Sequence, residues 1–486
     1  MRVSIIGSGV SGICAAIRLR SKGFDVAVYE KNKMPGGKLN TFKLDGFRFD
    51  AGPSLFTMPQ LVDELFELNN LNPRDYFTYK KKKIHCKYFW DDKTKFTAYS
   101  NRKKFLKEVK NKFKVEESTV NNYLKKAKIK YDLTEKIFLK KSLHKLSSFL
   151  NIETIKALFN LNIFQINKTL NEVNSDELKN KYLIQIFNRY ATYNGSSPYK
   201  TPGMMTLIQH LENHFGTFVP EGGMYEITNT LFNLAKQIGV KFYFECNVDE
   251  IILEKKAAKK IKVNNNLIES DIIISNVDIN FTYKNLLKQK FNHRSLKNES
   301  SSSALIFYWG IKGTYDKLDL HNIFFSSNYK EEFDSIFEKK QVFDDPTVYI
   351  NISCKDVSSD APKGSENWFV MINSPYNINQ NWDRQIQISR KKIINKLEKI
   401  LGIEIGKNII KEKIYSPIDL ESKTNSFNGS LYGSSSNNIM SSFMRHPNFT
   451  KRIKNLFFCG GSVHPGGGIP LAILSSKIVS DLIESK

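Results

Sequence analysis

Residues 2–6 form a short apolar run, and Gly7-Ser8-Gly9-Val10-Ser11-Gly12 follows at once. An apolar-periodic stretch comes next, and then an isolated acid, Glu30, eighteen residues beyond the last glycine. Nothing else in the chain restricts its fold as much. The order is strand, glycine-rich turn, helix, second strand (26–30) and acid, which is the order of a dinucleotide-binding βαβ unit. Gly7 permits the tight turn, Gly9 lets the backbone approach a pyrophosphate, and Gly12 lets the helix pack close to the strand. Phosphate then sits over Ser8, Val10 and Ser11 at the helix N-terminus, where unpaired N–H groups and the helix dipole favour an anion. Glu30 is placed to accept from ribose hydroxyls.

A second glycine-rich turn follows soon after the acid. Lys31 leads into Met34-Pro35-Gly36-Gly37-Lys38, and Asp50-Ala51-Gly52-Pro53-Ser54 follows. Such a turn suits a cofactor lying across several loops, FAD rather than NAD. The C-terminal segment carries a further rare block, Cys459-Gly460-Gly461-Ser462-Val463-His464-Pro465-Gly466-Gly467-Gly468-Ile469-Pro470, ahead of a helical run. Together these blocks resemble the flavin-containing carotenoid desaturases of the phytoene-desaturase type, which are related to amine oxidases and retinol saturases. Pro220-Glu221-Gly222-Gly223-Met224 resembles the central element of that family, and the resemblance extends over the whole chain. More narrowly, segments 50–58, 189–205, 301–310 and 318–330 are similar to the hydroxycarotenoid 3,4-desaturases of the Bacteroidetes type.

The resemblance implies noncovalent FAD held by Gly7–Gly12, Glu30, Lys31, Gly37, Lys38, Gly52, Pro53 and Ser54. It implies that backbone near Val248 holds the adenine, that Asn276 ends a strand beside the cofactor, and that Gly460, Gly461, Ser462 and Ile469 close the flavin site. It also implies an α/β fold: a Rossmann-like, amine-oxidase-like FAD-binding domain with an interleaved α+β substrate domain. The expected boundaries are 1–75, 220–280 and 440–486 for the cofactor domain, and 76–219 and 281–439 for the substrate domain. Within the latter, 301–310, 322–326, 347–353 and 368–372 read as strands of one mixed sheet. Segment 390–401 has helical spacing, and 422–440 is a loop returning to the flavin.

A chain of 486 residues exceeds what one core usually serves. No run of eighteen apolar residues marks a membrane span, and no leader precedes the first strand. The five cysteines (Cys14, Cys86, Cys246, Cys354 and Cys459) are scattered and lack metal-ligand spacing, so reduced thiols in a cytoplasmic protein and no metal are expected. Cys459 adjoins the flavin glycines; a covalent link is conceivable, but a small buried strand residue is the better reading.

The formal charge of +24 raises the question of nucleic acid. The lysines accompany abundant Asn and Ile, the mark of an AT-rich genome, and no arginine-aromatic nucleic-acid motif is present. Charge is concentrated instead: residues 79–145 hold 22 Lys and Arg against 7 Asp and Glu. A densely apolar segment, 146–170, follows directly. A basic surface beside an apolar helix reads as peripheral attachment to an anionic leaflet, against the alternative of a core helix under a solvated face.

The chemistry implied by the resemblance is desaturation. Two hydrogens leave adjacent carbons of a carotenoid, one of them as hydride to flavin, and the cation left behind is spread along the polyene. A weak base then suffices, so the protein must position one carbon pair, exclude water and fix register in an apolar tunnel. Some of the 35 Phe and 21 Tyr would line it. Arg189 and Tyr193, with Asn194, form a polar-aromatic cluster that is either catalytic or a structural turn. His464 is either a proton relay or a turn residue, Glu221 a base or a loop residue, and Arg445-His446 a capping pair. A tertiary hydroxyl on the substrate needs a buried partner, and no residue in the sequence identifies it. Dioxygen or a membrane quinone is the expected electron acceptor, because no second glycine motif exists to hold NADPH. The alternatives are a phytoene- or lycopene-type desaturase, a polyene saturase or isomerase, and a GDI-like isoprenoid escort without flavin.

Overall fold

The first strand became the centre of a parallel layer. In the computed structural model, which describes residues 1–135, 144, 161–288 and 294–484, Arg2–Ile6 lies between Asp25–Tyr29 and Ile272–Ser275. Lys241–Tyr243 and Leu456–Phe458 complete the two edges, and all neighbours are parallel. Parallel strands covered on both faces need near-continuous apolar sequence, and Ile272–Ser275 is buried at every position. One face packs on the helices Val10–Ser21, Glu226–Gln237 and Ile469–Glu484 through Ile13, Ile17, Leu231, Leu234, Ile473 and Val479. The other lies against an antiparallel meander, Val248–Glu254, Ala257–Val263 and Asn266–Glu269, through Ile251, Ala258 and Ile261.

The second layer is a mixed sheet of seven strands. Its order is Ile409–Tyr415, Ser303–Lys312, Ser365–Ser374, Val348–Ile352, His321–Phe324, Ile84–Phe89 and Lys95–Tyr99. Every pairing is antiparallel except His321–Phe324 with Ile84–Phe89. The four strands expected in this region are all present in one sheet. The three basic ones, carrying Lys87, Lys95, Lys411 and Lys413, were not anticipated, because lysine interrupts the alternation by which strands are read. Residue alternation divides the sheet cleanly. Leu305, Phe307, Trp309, Ile350, Ile352, Val370 and Ile372 face the helix Trp382–Leu401, which begins eight residues before the helical spacing predicted. Ile306, Ile323, Tyr349, Phe369 and Met371 face the interior between the layers.

The described part of the basic stretch forms the helices Arg102–Phe113 and Glu117–Thr134, which bury Phe105, Val109, Val120 and Leu124 and turn most of their lysines outward. Of the apolar segment 146–170, residues 146–160 lie outside the described residues. Phe164 and Leu170 are buried.

Candidate functional site

One cavity of about 710 Å3 runs between the parallel layer and the inner face of the mixed sheet. At one end are the glycine loops. Gly9 opens the helix Val10–Ser21 without any side-chain cap, so the first-turn N–H groups are left for another acceptor. Gly7 has φ +93°, which only glycine adopts readily. A Cβ on Gly9 would stand 2.8 Å from Asn276 Oδ1, and one on Gly12 would collide with the Gly7 carbonyl. Backbone from Gly36-Gly37 lies directly against Gly9. This concave, side-chain-free cradle suits a pyrophosphate.

The Glu30 carboxylate is buried, and Oε2 accepts from both Ser8 N and Ser8 Oγ at 2.8 Å. Its Oε1 accepts from Asn32 N and Nδ2. A carboxylate has four acceptor positions, and these contacts orient it across the mouth of the glycine loop. Lys31 Nζ donates to Ser422 O and Asn425 Oδ1, and Lys38 Nζ to Ser430 O and Leu431 O. Arg445 donates to Tyr432 O, Ser434 O and Gly461 O. These three cations therefore draw residues 422–434 onto the site; of the loop expected over 422–440, residues 422–424 end the helix Pro417–Thr424 and 439–440 begin the helix Ile439–Phe443, with turns between. Lys38 and Arg445 are desolvated: burial pulls Lys38 down to about 8 and Arg445 down to about 10. The part-buried Lys38 and the buried Arg445, both hydrogen-bonded to carbonyl oxygens, make the wall receptive to an anionic group.

The other end is apolar, apart from one group of polar residues. Arg189 and Tyr193 lie on a tight turn after the helix Lys181–Asn188. Arg189 Nη2 contacts Glu212 at 3.3 Å and donates to Tyr88 Oη at 2.9 Å, while Nη1 donates to Tyr193 Oη at 2.7 Å. Tyr190 and Tyr193 both donate to the Glu212 carboxylate. Burial pushes this carboxyl up, but Arg189, His85 and the two phenols more than offset that, leaving it below the usual carboxylate range. Nearby, His321 Nδ1 meets Tyr349 Oη at 2.8 Å, and Tyr349 Oη meets Ser54 Oγ at 2.7 Å. A hydrogen-bonded path thus links the mixed sheet to the Gly52-Pro53-Ser54 loop.

The cavity wall includes Gly7, Gly9, Val10, Ser11, Glu30, Lys31, Gly37, Lys38, Gly52, Pro53, Ser54, Val248, Asn276, Gly460, Gly461, Ser462 and Ile469, together with Arg189, Tyr193 and His464. Ser8 and Gly12 stand behind it, the first holding Glu30 and the second packing helix on strand. Glu221 lies on the surface, hydrogen-bonded to Thr78 and paired with Lys80, away from the cavity. Arg445 does more than cap structure, since it joins the 430–434 loop to the C-terminal glycine block. Burial pushes the Cys459 thiol up to about 12, in keeping with a small core residue, although it directly follows the strand Leu456–Phe458 rather than lying in it. Glu212, His321 and Tyr349 were missed. No local pattern singles them out, and only the pairing of distant strands and turns brings them together. Among the described residues no group of three His, Cys, Asp or Glu side chains gathers as a metal site.

Residues 10–483 match the model of a family described as flavin containing amine oxidoreductase. Among characterised relatives, a 1-hydroxycarotenoid 3,4-desaturase from Flavobacterium sp. (strain P99-3) is 48% identical over 99% of this chain and 98% of its own. A 4,4'-diaponeurosporene oxygenase from Staphylococcus aureus is 32% identical over 100% of this chain and 98% of its own. Among solved structures, an oxidoreductase from Methanosarcina mazei is similar at 14% identity with a TM-score of 0.65, covering 100% of both chains. A putrescine oxidase bound to putrescine matches at 13% identity with a TM-score of 0.65 and the same coverage. At these identities the two structures share the fold.

Proposed function

The chain belongs to the flavin-containing amine oxidoreductase family, and from that premise we propose that it is an FAD-dependent carotenoid desaturase, removing two hydrogens across the 3,4 bond of a 1-hydroxycarotenoid. The observation that carries the reading is the continuity of the cavity: a dinucleotide cradle opens onto a long apolar sheet face. The 48% identity to a desaturase of that substrate class supports the same assignment.

Bound FAD would supply the two-electron acceptor for a hydride leaving an allylic carbon. The protein's part is positioning and exclusion of water. Ile306, Ile323, Phe369 and Met371 give a polyene a smooth wall without hydrogen-bonding groups, which keeps nucleophiles from the substrate cation. Arg189 and Tyr193 act as a fixed polar group: Arg189 donates to Glu212, Tyr88 and Tyr193, and the Tyr193 hydroxyl donates to Glu212, so neither side chain takes up or releases a proton during turnover. We assign the proton lost from the neighbouring carbon to the His464 imidazole, on the cavity wall beside the C-terminal glycines.

We assign the cofactor unit to 1–75, 220–280 and 440–486 and the substrate unit to 76–219 and 281–439, a division supported by the two sheets. We also assign a peripheral membrane contact, because the substrate dissolves in lipid. The helix Ile439–Phe443 supports it: Ile439, Met440 and the adjoining Met444 are exposed while Phe443 lines the cavity. Among the described residues no helix is long and apolar enough to cross a membrane. Dioxygen or a membrane quinone would serve as the electron acceptor for bound flavin.

A second reading, oxygenation of a carotenoid end, draws on the name of the 32% identical relative. The test is a side-by-side incubation of the flavin-loaded enzyme with a 1-hydroxycarotenoid and its unhydroxylated parent. The proposal requires one new double bond near the hydroxylated end and preference for the hydroxylated substrate. Equal or faster desaturation of the parent, at several positions, replaces it with a general desaturase.

A further inference from the structure

A substrate hydroxyl that leaves water for this cavity loses its hydrogen bonds unless the wall returns one, and a site built around that bond rejects the analogue that lacks it. The wall carries a group of the required kind. His321 begins the strand His321–Phe324 and is 4% exposed, and its Nε2 has no hydrogen-bond partner. Strand alternation places it on the same side as Ile323, on the face that lines the cavity.

The other ring nitrogen fixes the tautomer. Asn351, paired with His321 across the strands, donates from Nδ2 to Leu320 O at 3.2 Å, which sets the orientation of the amide. The same Nδ2 lies 3.3 Å from His321 Nδ1, and the Tyr349 hydroxyl meets Nδ1 at 2.8 Å. An amide nitrogen only donates, so Nδ1 is the acceptor and the ring proton resides on Nε2. Burial pulls the imidazole down to about 4, so it carries one proton at neutral pH. The result is a rigid N–H donor, held by two strands, on a residue of the cavity wall and lacking an acceptor.

We propose that His321 Nε2–H donates to the tertiary hydroxyl of the substrate and sets the register of the polyene at the flavin. The proposal rests on the hydroxycarotenoid reading and supplies the hydroxyl partner that reading requires. Position supports it. Tyr349 joins His321 to Ser54, on the loop next to Gly52, so the donor stands two hydrogen bonds from the cofactor cradle. The hydroxyl of a 1-hydroxycarotenoid is likewise only a few bonds from the carbons at positions 3 and 4. A donor remote from the cradle would fit a substrate oxidised mid-chain instead.

The test compares wild type, His321→Leu, His321→Gln and Tyr329→Phe. Tyr329 is included because its hydroxyl is also buried on the cavity wall without a partner. Two quantities are read: the ratio of kcat/KM for a 1-hydroxycarotenoid over its parent, and the ratio of their affinities for reduced enzyme, which cannot accept a hydride. Flavin absorbance normalises each preparation for correctly folded protein. In His321→Leu both ratios fall by about 10-fold or more, while His321→Gln, which keeps an N–H donor, recovers part of the loss. Wild-type ratios in His321→Leu overturn the assignment and leave the hydroxycarotenoid reading standing, as does loss of preference confined to Tyr329→Phe. Absence of any preference in the wild type overturns both.

Discussion

Replacing Arg189 by Met is predicted to reverse the pH dependence of stability as well as lower it. The guanidinium and the Glu212 carboxylate are 10% and 4% exposed, 3.3 Å apart, with three tyrosine hydroxyls around them. Removing one partner of a buried pair leaves an uncompensated charge and costs about 3–5 kcal/mol. The sign with pH follows from the carboxyl. In the wild type its folded pKa is depressed, so the pair's contribution is fully present above about 4.5, the ordinary value, and is lost as pH falls through the folded value. Without Arg189, burial dominates and the folded pKa rises above 4.5, so protonation favours the folded state. Urea unfolding followed by intrinsic fluorescence at pH 7 and pH 5 checks this. Wild type is expected to hold its midpoint across that interval. Arg189→Met starts well below it at pH 7 and regains part of the loss at pH 5. The double variant Arg189→Met/Glu212→Gln, with no buried charge left, should be more stable at pH 7 than either single change. A loss under about 1 kcal/mol, or equal losses at both pH values, would show that the pair is solvated and that the cavity end is not the low-dielectric site described.

Gly9→Val pushes a branched side chain into Asn276 Oδ1 and into the cradle, and Gly12→Ala presses on the Gly7 carbonyl; both should purify colourless, as read by flavin absorbance after reconstitution. Glu30→Ala frees Ser8 N and Oγ and loosens the mouth of the glycine loop, so flavin affinity measured by fluorescence quenching should fall at least about tenfold. Binding to anionic vesicles should be partly released by high salt and more fully by detergent, since salt screens charge but not apolar insertion. Equal sedimentation with and without anionic lipid would refute membrane contact.

The glycine-lined end of the cavity was legible because its determinants are local: Gly7, Gly9 and Gly12 act within one turn, and Glu30 directly follows the adjacent strand Asp25–Tyr29. The Gly460–Gly468 block was legible for the same reason. The substrate half was legible only as apolar strands. Glu212 becomes informative once Arg189, on a different turn, closes on it. His321 becomes informative once Asn351 and Tyr349 arrive from the neighbouring strand. Lys38 reads as a cofactor residue and Arg445 as a capping residue; that both reach the 430–434 loop, where main-chain oxygens converge on them, becomes visible only in the fold. Strands such as Lys95–Tyr99 and Ile409–Tyr415 were obscured by lysines whose ammonium groups reach water or loop partners while the backbone pairs in the sheet.

The most direct measurement of the account is a single anaerobic turnover. Flavin-loaded enzyme is mixed with a slight excess of a 1-hydroxycarotenoid, and the products are separated and weighed by mass spectrometry. The account predicts product two hydrogens lighter than substrate, with its new double bond at the 3,4 position, in an amount equal to the flavin that becomes reduced. No product without oxygen, together with a product carrying label from isotopic dioxygen once air is admitted, would contradict desaturation and establish the oxygenase reading.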